Sequence, residues 1–302
     1  EKVLIVIEKG DNYYTISNRL IENGLIRSEL AFKAYLRLNP PKTVQACTYE
    51  LDKSWQIKEI IAALETTCTV SDEVVRVTIP EGKHLQQVAE IIASVTNNTT
   101  DELMTVWTSV EFVDEVIAKY EFATNEMKGT NIRYGLEGYL FPSTYELLNE
   151  DVDPKYIAFR MLDQMDRIYK KHQEEIESSN YSFHRLLTMA SIVEYEAILD
   201  EDRPLIAGVF YHRLRINMPL GSCATLGYAL NEWKLIFTIP DTKVQHPYNT
   251  YQNFGFPPGP GGMPGEKSII AAITPTPTDY LYFAANVCDP NDNKTYFSKT
   301  LI

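Results

Sequence analysis

The sequence predicts an α+β fold. A small N-terminal unit spans residues 1–72, and a larger mixed part spans 73–302, helices first and a β-rich segment last. Three observations carry this expectation. A strand-like run, a glycine and a helical pattern occur twice, in "VLIVIEKGDNYYTISNRLIENGLI" and "VRVTIPEGKHLQQVAEIIAS". Amphipathic segments with apolar residues three to four apart fill the middle of the chain. The last sixty or so residues are rich in Pro and Gly, then close on two β-forming runs around "DPNDNK".

In the first copy of the repeat, Gly10 turns the strand into a helix that carries Ile16, Leu20 and Ile21 at helical spacing. "GLIRSELAFKAYLRLNP" gives a second helix, with Ser28 as N-cap and Pro40 and Pro41 as its stop. "TVQACTYELD" reads as a strand and "SWQIKEIIAALET" as a helix, so the first unit is of βααβα type. In the second copy Gly82 makes the turn, and residues 73–130 continue into amphipathic helices in "DELMTVWTSVEFVDEVIAKY". "EGYLFPSTYEL" at 137–147, interrupted by Pro142, reads as a loop or short strand. Helices are expected at 154–178, at 182–197 and at 202–216, the last with Pro204 in its first turn. Helix signals then fade, and "YLYFAAN" and "TYFS" read as a β-hairpin.

The composition narrows the function. With 41 acidic against 28 basic residues the formal net charge is −13, which argues against nucleic acid or an anionic membrane surface as partner. A neutral polymer, a sugar or a cationic ligand fits better. Cys47, Cys68, Cys223 and Cys288 lie far apart without metal-type spacing. Cys47 and Cys68 could pair within one unit; the favoured reading is four thiols packed as small hydrophobes. Five scattered histidines without an HExxH pattern offer no zinc site, and no cofactor or metal is expected.

The stretch "ASIVEYEA" poses the chemical question, because it sets Glu194 and Glu196 at the end of an apolar helix. Successive helical side chains turn by about 100°, so acids two apart face nearly opposite ways and cannot act on one bond. Glu194 continues the stripe of Leu186, Leu187, Ala190 and Val193. A carboxyl there would lose hydration and stay protonated, as a general acid requires. Glu196 is better placed for solvent or a salt bridge. A two-carboxylate glycosidase would need a partner acid, and Glu137 and Asp241 are candidates. Tyr139, Tyr145, Tyr248, Tyr251 and Phe254 offer faces for sugar rings. The amide and hydroxyls of Tyr248, Asn249 and Tyr251 in "HPYNTYQNFGFPPGPGG" suit a polyhydroxylated ligand. The cleft is expected between the 182–197 helix, the 137–145 segment and the 246–262 loop.

"LEGYLFPSTYEL", "ASIVEYEA", "DRPLIAGVFYHRLRINMPL", "SCATLGYAL", "YNTYQNFGFPPGPGGMPG" and "AAITPTPTDYLYFAAN" follow one another in this order. Together they resemble the endolytic murein transglycosylases of the YceG-like family, over nearly the whole chain. The first unit resembles that family's LysM-like subdomain, so the expected arrangement is a LysM-like domain over 1–72 and a catalytic domain over 73–302, with 73–130 as a second LysM-like opening. The resemblance implies a bacterial enzyme on the extracytoplasmic face of the cell membrane, held by one N-terminal span that this chain lacks. Peptidoglycan glycan strands would be its substrate and peptidoglycan synthases its neighbours. It would cut between N-acetylmuramic acid and N-acetylglucosamine without water, leaving a 1,6-anhydromuramoyl end and terminating strand growth.

The family's catalytic glutamate in "SIVE" falls on Glu194. Substrate contacts are expected at Glu137, Tyr139, Ser222, Thr225, Tyr248, Asn249, Thr250, Tyr251, Pro257 and Pro258. One carboxyl suffices for this reaction, because the proton it gives to the glycosidic oxygen returns from the muramoyl 6-hydroxyl. The chain departs from the family pattern at His212 (commonly Asn), Cys223 (Asp), Ala224 (Pro), Phe256 (Leu) and Met263 (Asn), which bears on the shape of the cleft. Two other readings remain, a non-catalytic glycan-binding protein and a two-carboxylate muramidase using Glu194 with Glu137.

Overall fold

The structure is a computed structural model, and it describes residues 2–7, 10–42, 44, 47–65, 75–147, 149–232, 234, 236–285 and 294–301. The chain divides into two compact units, Glu1–Val74 and Val75–Ile302. It is an α+β protein whose described strands form three separate two-stranded antiparallel sheets.

The first unit runs β1 (Lys2–Ile7), α1 (Ser17–Glu22), α2 (Glu29–Leu38), β2 (Cys47–Asp52) and α3 (Ile57–Leu64). β1 and β2 pair antiparallel with Ile5 opposite Tyr49 and Val3 opposite Leu51. Alternation along the strands buries Ile5, Ile7, Tyr49 and Leu51 on one face, against Leu20, Phe32, Ile60 and Leu64 of the three helices. The Ser28 hydroxyl accepts the Ala31 N–H at 3.3 Å and starts α2, whose Phe32 and Leu36 then share a face. Cys47 is disulfide-bonded, which corrects the expectation of four free thiols; its partner lies outside the described residues. Strands that carry only small cores gain from such a cross-link.

The second unit opens with β3 (Val75–Thr78) and α4 (Leu85–Ala93), followed by α5 (Thr100–Trp107) and α6 (Val110–Lys119). β3 then pairs antiparallel with β4 (Thr144–Leu147), Val77 opposite Tyr145. Gly10 and Gly82 both have positive φ, +99° and +77°, which is why each copy of the repeat turns on a glycine. The helix expected at 154–178 is two, α7 (Pro154–Lys171) and α8 (Gln173–Ser178). They part at His172, whose Nε2 meets Glu266 Oε1 at 2.9 Å, a tertiary contact with no local signature.

α9 (Phe183–Glu196) and α10 (Arg203–Arg215) follow, Ser182 capping the first and Pro204 sitting in the first turn of the second. The expected β-rich end is corrected. Beyond residue 216 the described chain holds α11 (Cys223–Leu230), α12 (Glu266–Ile273), a 3-10 turn at Asp241–Lys243, and one hairpin of β5 (Tyr282–Ala285) with β6 (Thr295–Ser298). Both helices are eight residues long and lie among Gly and Pro, so neither spans enough turns to show a period. α9 is buried nearly all round, packed by α10, α11 and α12. No helix among the described residues is long and apolar enough to cross a membrane.

Candidate active site

α9 organises the site by holding the Gly/Pro-rich loop along one side. Going down the helix, Arg185 Nη1 donates to the Pro257 carbonyl at 3.1 Å and His184 Nε2 donates to the Pro258 carbonyl at 3.0 Å. The Gly261 N–H donates to Ser191 Oγ at 3.1 Å, and the Gly265 N–H to Glu194 Oε2 at 2.9 Å. These bonds order a segment that its composition alone would leave loose. A carbonyl only accepts, so His184 carries its proton on Nε2 and its Nδ1 accepts from the Tyr139 hydroxyl at 2.9 Å. Burial also pushes His184 below the usual imidazole range, so the ring is neutral and structural.

Glu194 stands at the last turn of α9, its side chain 7% exposed. Its second oxygen meets a cation, with Arg203 Nη1 3.1 Å from Glu194 Oε1. Arg203 is 8% exposed and is itself held by Ser268 Oγ at 2.5 Å and Asp200 Oδ1 at 3.0 Å. The expectation of a carboxyl facing apolar surface is thereby corrected: the stripe leads up to Glu194, but a guanidinium and a backbone N–H meet the carboxyl itself. The turn after β3 closes the other side. A Cβ on Gly82 would lie 3.8 Å from Glu194 Cγ, the Gly82 N–H donates to the Met263 carbonyl at 2.8 Å, and the Tyr195 hydroxyl donates to the Gly82 carbonyl.

Glu196 turns the opposite way, as helical geometry requires, but not to solvent. Its Oε1 accepts from Ser222 Oγ at 2.6 Å, and the N–H groups of Cys223 and Ala224 also point to it. The carboxylate thus caps the N-terminus of α11, where the helix dipole favours negative charge. Loss of hydration nevertheless raises its pKa above the ordinary carboxylate value.

This arrangement belongs to a known group of proteins. The YceG-like family pattern matches residues 5–302. The chain is 35% identical over 300 residues to an endolytic murein transglycosylase of Bacillus subtilis (strain 168), covering 99% of this chain and 82% of that protein. It is 32% identical over 311 residues to an endolytic murein transglycosylase of Streptococcus pneumoniae serotype 2 (strain D39 / NCTC 7466), covering 98% of this chain but 56% of that protein. A crystal structure of a yceG-like protein from Listeria monocytogenes superposes with a TM-score of 0.72 at 35% identity, covering 100% of this chain and 97% of the other.

The chain belongs to the YceG-like family.

Among the residues of this YceG-like chain expected at substrate, most are buried. Glu137 is 1% exposed; its oxygens accept from the Leu85 N–H and the Tyr228 hydroxyl, both at 2.9 Å. Tyr139 is fully buried on His184. Ser222 is spent on Glu196, Thr225 Oγ1 lies 2.7 Å from Thr250 Oγ1, and Thr250 Oγ1 accepts the Ser222 N–H at 3.1 Å. Asn249 is buried, its amide donating to Val244 and Thr242 carbonyls while its oxygen accepts the Tyr251 N–H. Tyr248 is buried with its ring 4.8 Å from that of Tyr228. Pro257 is buried and Pro258 half-buried along α9. Glu137, Tyr139, Ser222, Asn249 and Thr250 are thus buried and bonded to neighbouring protein groups, while Thr225, Tyr248 and Pro257 line a small pocket beside α9 with Ser191 and Tyr195. Tyr145 donates to the Phe141 carbonyl, and Asp241 caps its own turn at Thr238, so neither faces Glu194. Tyr251 and Phe254 retain exposed surface, Phe254 at 61%.

Several family departures have visible consequences. Cys223 is exposed with its Sγ 3.3 Å from the Tyr251 hydroxyl. Phe256 joins the Tyr181 and Tyr211 rings, under the Arg185 guanidinium. The Met263 side chain is buried and its Sδ accepts the Gly138 N–H.

Glu137 gives a pH prediction. Burial pushes its carboxyl from 4.5 up to about 8, so the fold favours the neutral form. The corresponding stability is present below the unfolded-state pKa and is lost as pH rises from about 4.5 through about 8. Glu137→Gln, neutral throughout, should flatten this fall, measured as Tm across that range. Parallel curves for the two proteins would show that Glu137 does not titrate there.

Arg203, Gly265, Tyr195 and Glu81 escaped the sequence reading. Arg203 carried a signal: a cation at the first position of a helix opposes the dipole, so something else must hold it there.

Proposed function

We propose that this YceG-like chain is an endolytic murein transglycosylase, a lyase that cleaves peptidoglycan glycan strands, with Glu194 as the one acid and base. The observation that carries the reading is the unequal placement of the acids. Glu194 is clamped at both oxygens at the end of α9, while the expected partner Glu137 is locked in the interior.

Glu194 gives its proton to the oxygen linking N-acetylmuramic acid to N-acetylglucosamine, and the bond from that oxygen to the muramoyl anomeric carbon breaks. The electron pair leaves with the oxygen. The muramoyl 6-hydroxyl then adds to the same carbon, and its proton returns to Glu194. No water is consumed and the 1,6-anhydro ring closes. Arg203 stabilises the carboxylate present between the two steps, and the Gly265 N–H fixes its orientation.

Finer parts of the reading extend beyond the site. The disulfide at Cys47 supports an oxidising, extracytoplasmic location. The strand–helix–helix–strand order of the first unit supports a LysM-like role in holding glycan. Anchoring by an N-terminal span and work beside peptidoglycan synthases complete this reading.

One observation favours a second reading, hydrolysis by two acids: Glu81, not Glu137, stands near Glu194. Mass analysis of products from purified glycan strands separates the two, because an anhydro end is lighter than a hydrolysed end by one water. Reducing ends carrying that water would overturn the transglycosylase.

A further inference from the structure

Glu81 lies in the turn between β3 and α4, a segment that neither the catalytic motif nor the Gly/Pro loop includes. Its side chain folds against Gly265: a Cβ on that glycine would come within 1.9 Å of Glu81 Oε1. A side chain at this position would push the Glu81 carboxyl away, so the glycine permits its close approach. Gly265 is also the residue whose N–H donates to Glu194 Oε2 at 2.9 Å. The two carboxyls thus both meet Gly265. Gly82, next to Glu81, packs on Glu194 from the same turn.

We propose that Glu81 is a positioning residue for the reaction, a second negative charge that offsets Arg203 and keeps Glu194 in the acid form needed for the first step. The inference rests on the transglycosylase reading. Its physical basis is charge balance. Arg203 alone, 3.1 Å from Glu194 and largely out of water, would favour loss of the proton before substrate is bound. A like charge across Gly265 works in the opposite sense. The other charged and titratable groups facing the pair are Asp200 before α10, Lys267 on α12 and Tyr195 on α9. Asp200 pairs with both Lys267 and Arg203, so these three groups together keep one positive charge in excess. Tyr195 is pushed above the usual phenol range by burial and stays neutral. That leaves one excess positive charge beside Glu194, which Glu81 opposes. Glu81 itself is held above the ordinary carboxylate range, by lost hydration first and by the charge of Glu194 second.

Glu81→Gln keeps the shape of the side chain and removes its charge. In the pH profile of kcat/KM on glycan strands, the alkaline limb marks loss of the acid's proton. It should move to lower pH by about one unit in Glu81→Gln, with Tm close to the parent. Glu81→Asp should keep the parent limb. Superimposable profiles for parent and Glu81→Gln would overturn the inference. An activity-free comparison decides it independently. The carbon-13 titration of the Glu81 carboxyl should shift to lower pH in Glu194→Gln, and an unchanged midpoint would equally overturn it. Hydrated product ends from the parent would instead contradict the functional reading, while the titration still tests the coupling.

Discussion

Glu194→Gln should leave the chain folded and lower the cleavage rate by about 100-fold to 10,000-fold, the range that general acid–base catalysis contributes. The amide oxygen can still accept the Gly265 N–H, so the loop keeps its place along α9. What disappears is the proton that the glycosidic oxygen needs and the base that takes one back. Glu196→Gln provides the contrast. It preserves an acceptor for Ser222 on the far side of the helix and should lower the rate far less. Rates on purified glycan strands, with circular dichroism to confirm folding, check both. Equal losses would contradict the assignment of the chemistry to one side of α9.

Arg203→Met should be costly in both stability and rate. Methionine fills much of the volume, but it removes the ion pair to Glu194 and the bonds to Ser268 and Asp200. Removing one partner of a buried pair typically costs about 3–5 kcal/mol, because the remaining charge stays desolvated. For a unit of this size that corresponds to a fall in Tm on the order of 10 °C. The two side chains act as one element, so the Arg203→Met penalty should shrink when Glu194 is already Gln. Thermal melts of the parent, both single variants and the double variant measure this directly. Additive losses would mean that the guanidinium is held by Ser268 and Asp200 without stabilising Glu194.

Much of the fold was legible because local signals agreed with it. Ser28 caps the helix it was expected to cap, the helix expected from 182 begins there, Pro204 sits in the first turn of α10, and the two repeat glycines take positive φ. The break at His172 and the helices α11 and α12 were not legible. The first depends on Glu266, distant in sequence, and the others are too short for periodicity. At the site, helical spacing correctly separated Glu194 from Glu196 but said nothing of what each would meet. The partners of Glu194 come from the turn after β3, the start of α10 and the loop before α12, and only the fold brings these together. The polar residues of "YNTY" and "SCAT" look like ligand contacts in sequence. In the structure they mostly bond to one another, because a Gly- and Pro-rich loop needs side chains to satisfy its backbone.

The central claim is that one carboxyl, Glu194, moves a proton out and back while the muramoyl 6-hydroxyl, and not water, closes on the anomeric carbon. Digestion of glycan strands in water enriched in heavy oxygen tests it most directly. The expected products end in anhydromuramoyl groups carrying no heavy oxygen, and Glu194→Gln yields no such products. Heavy oxygen at the muramoyl anomeric carbon, from the parent and absent with Glu194→Gln, would contradict the claim and establish hydrolysis in its place.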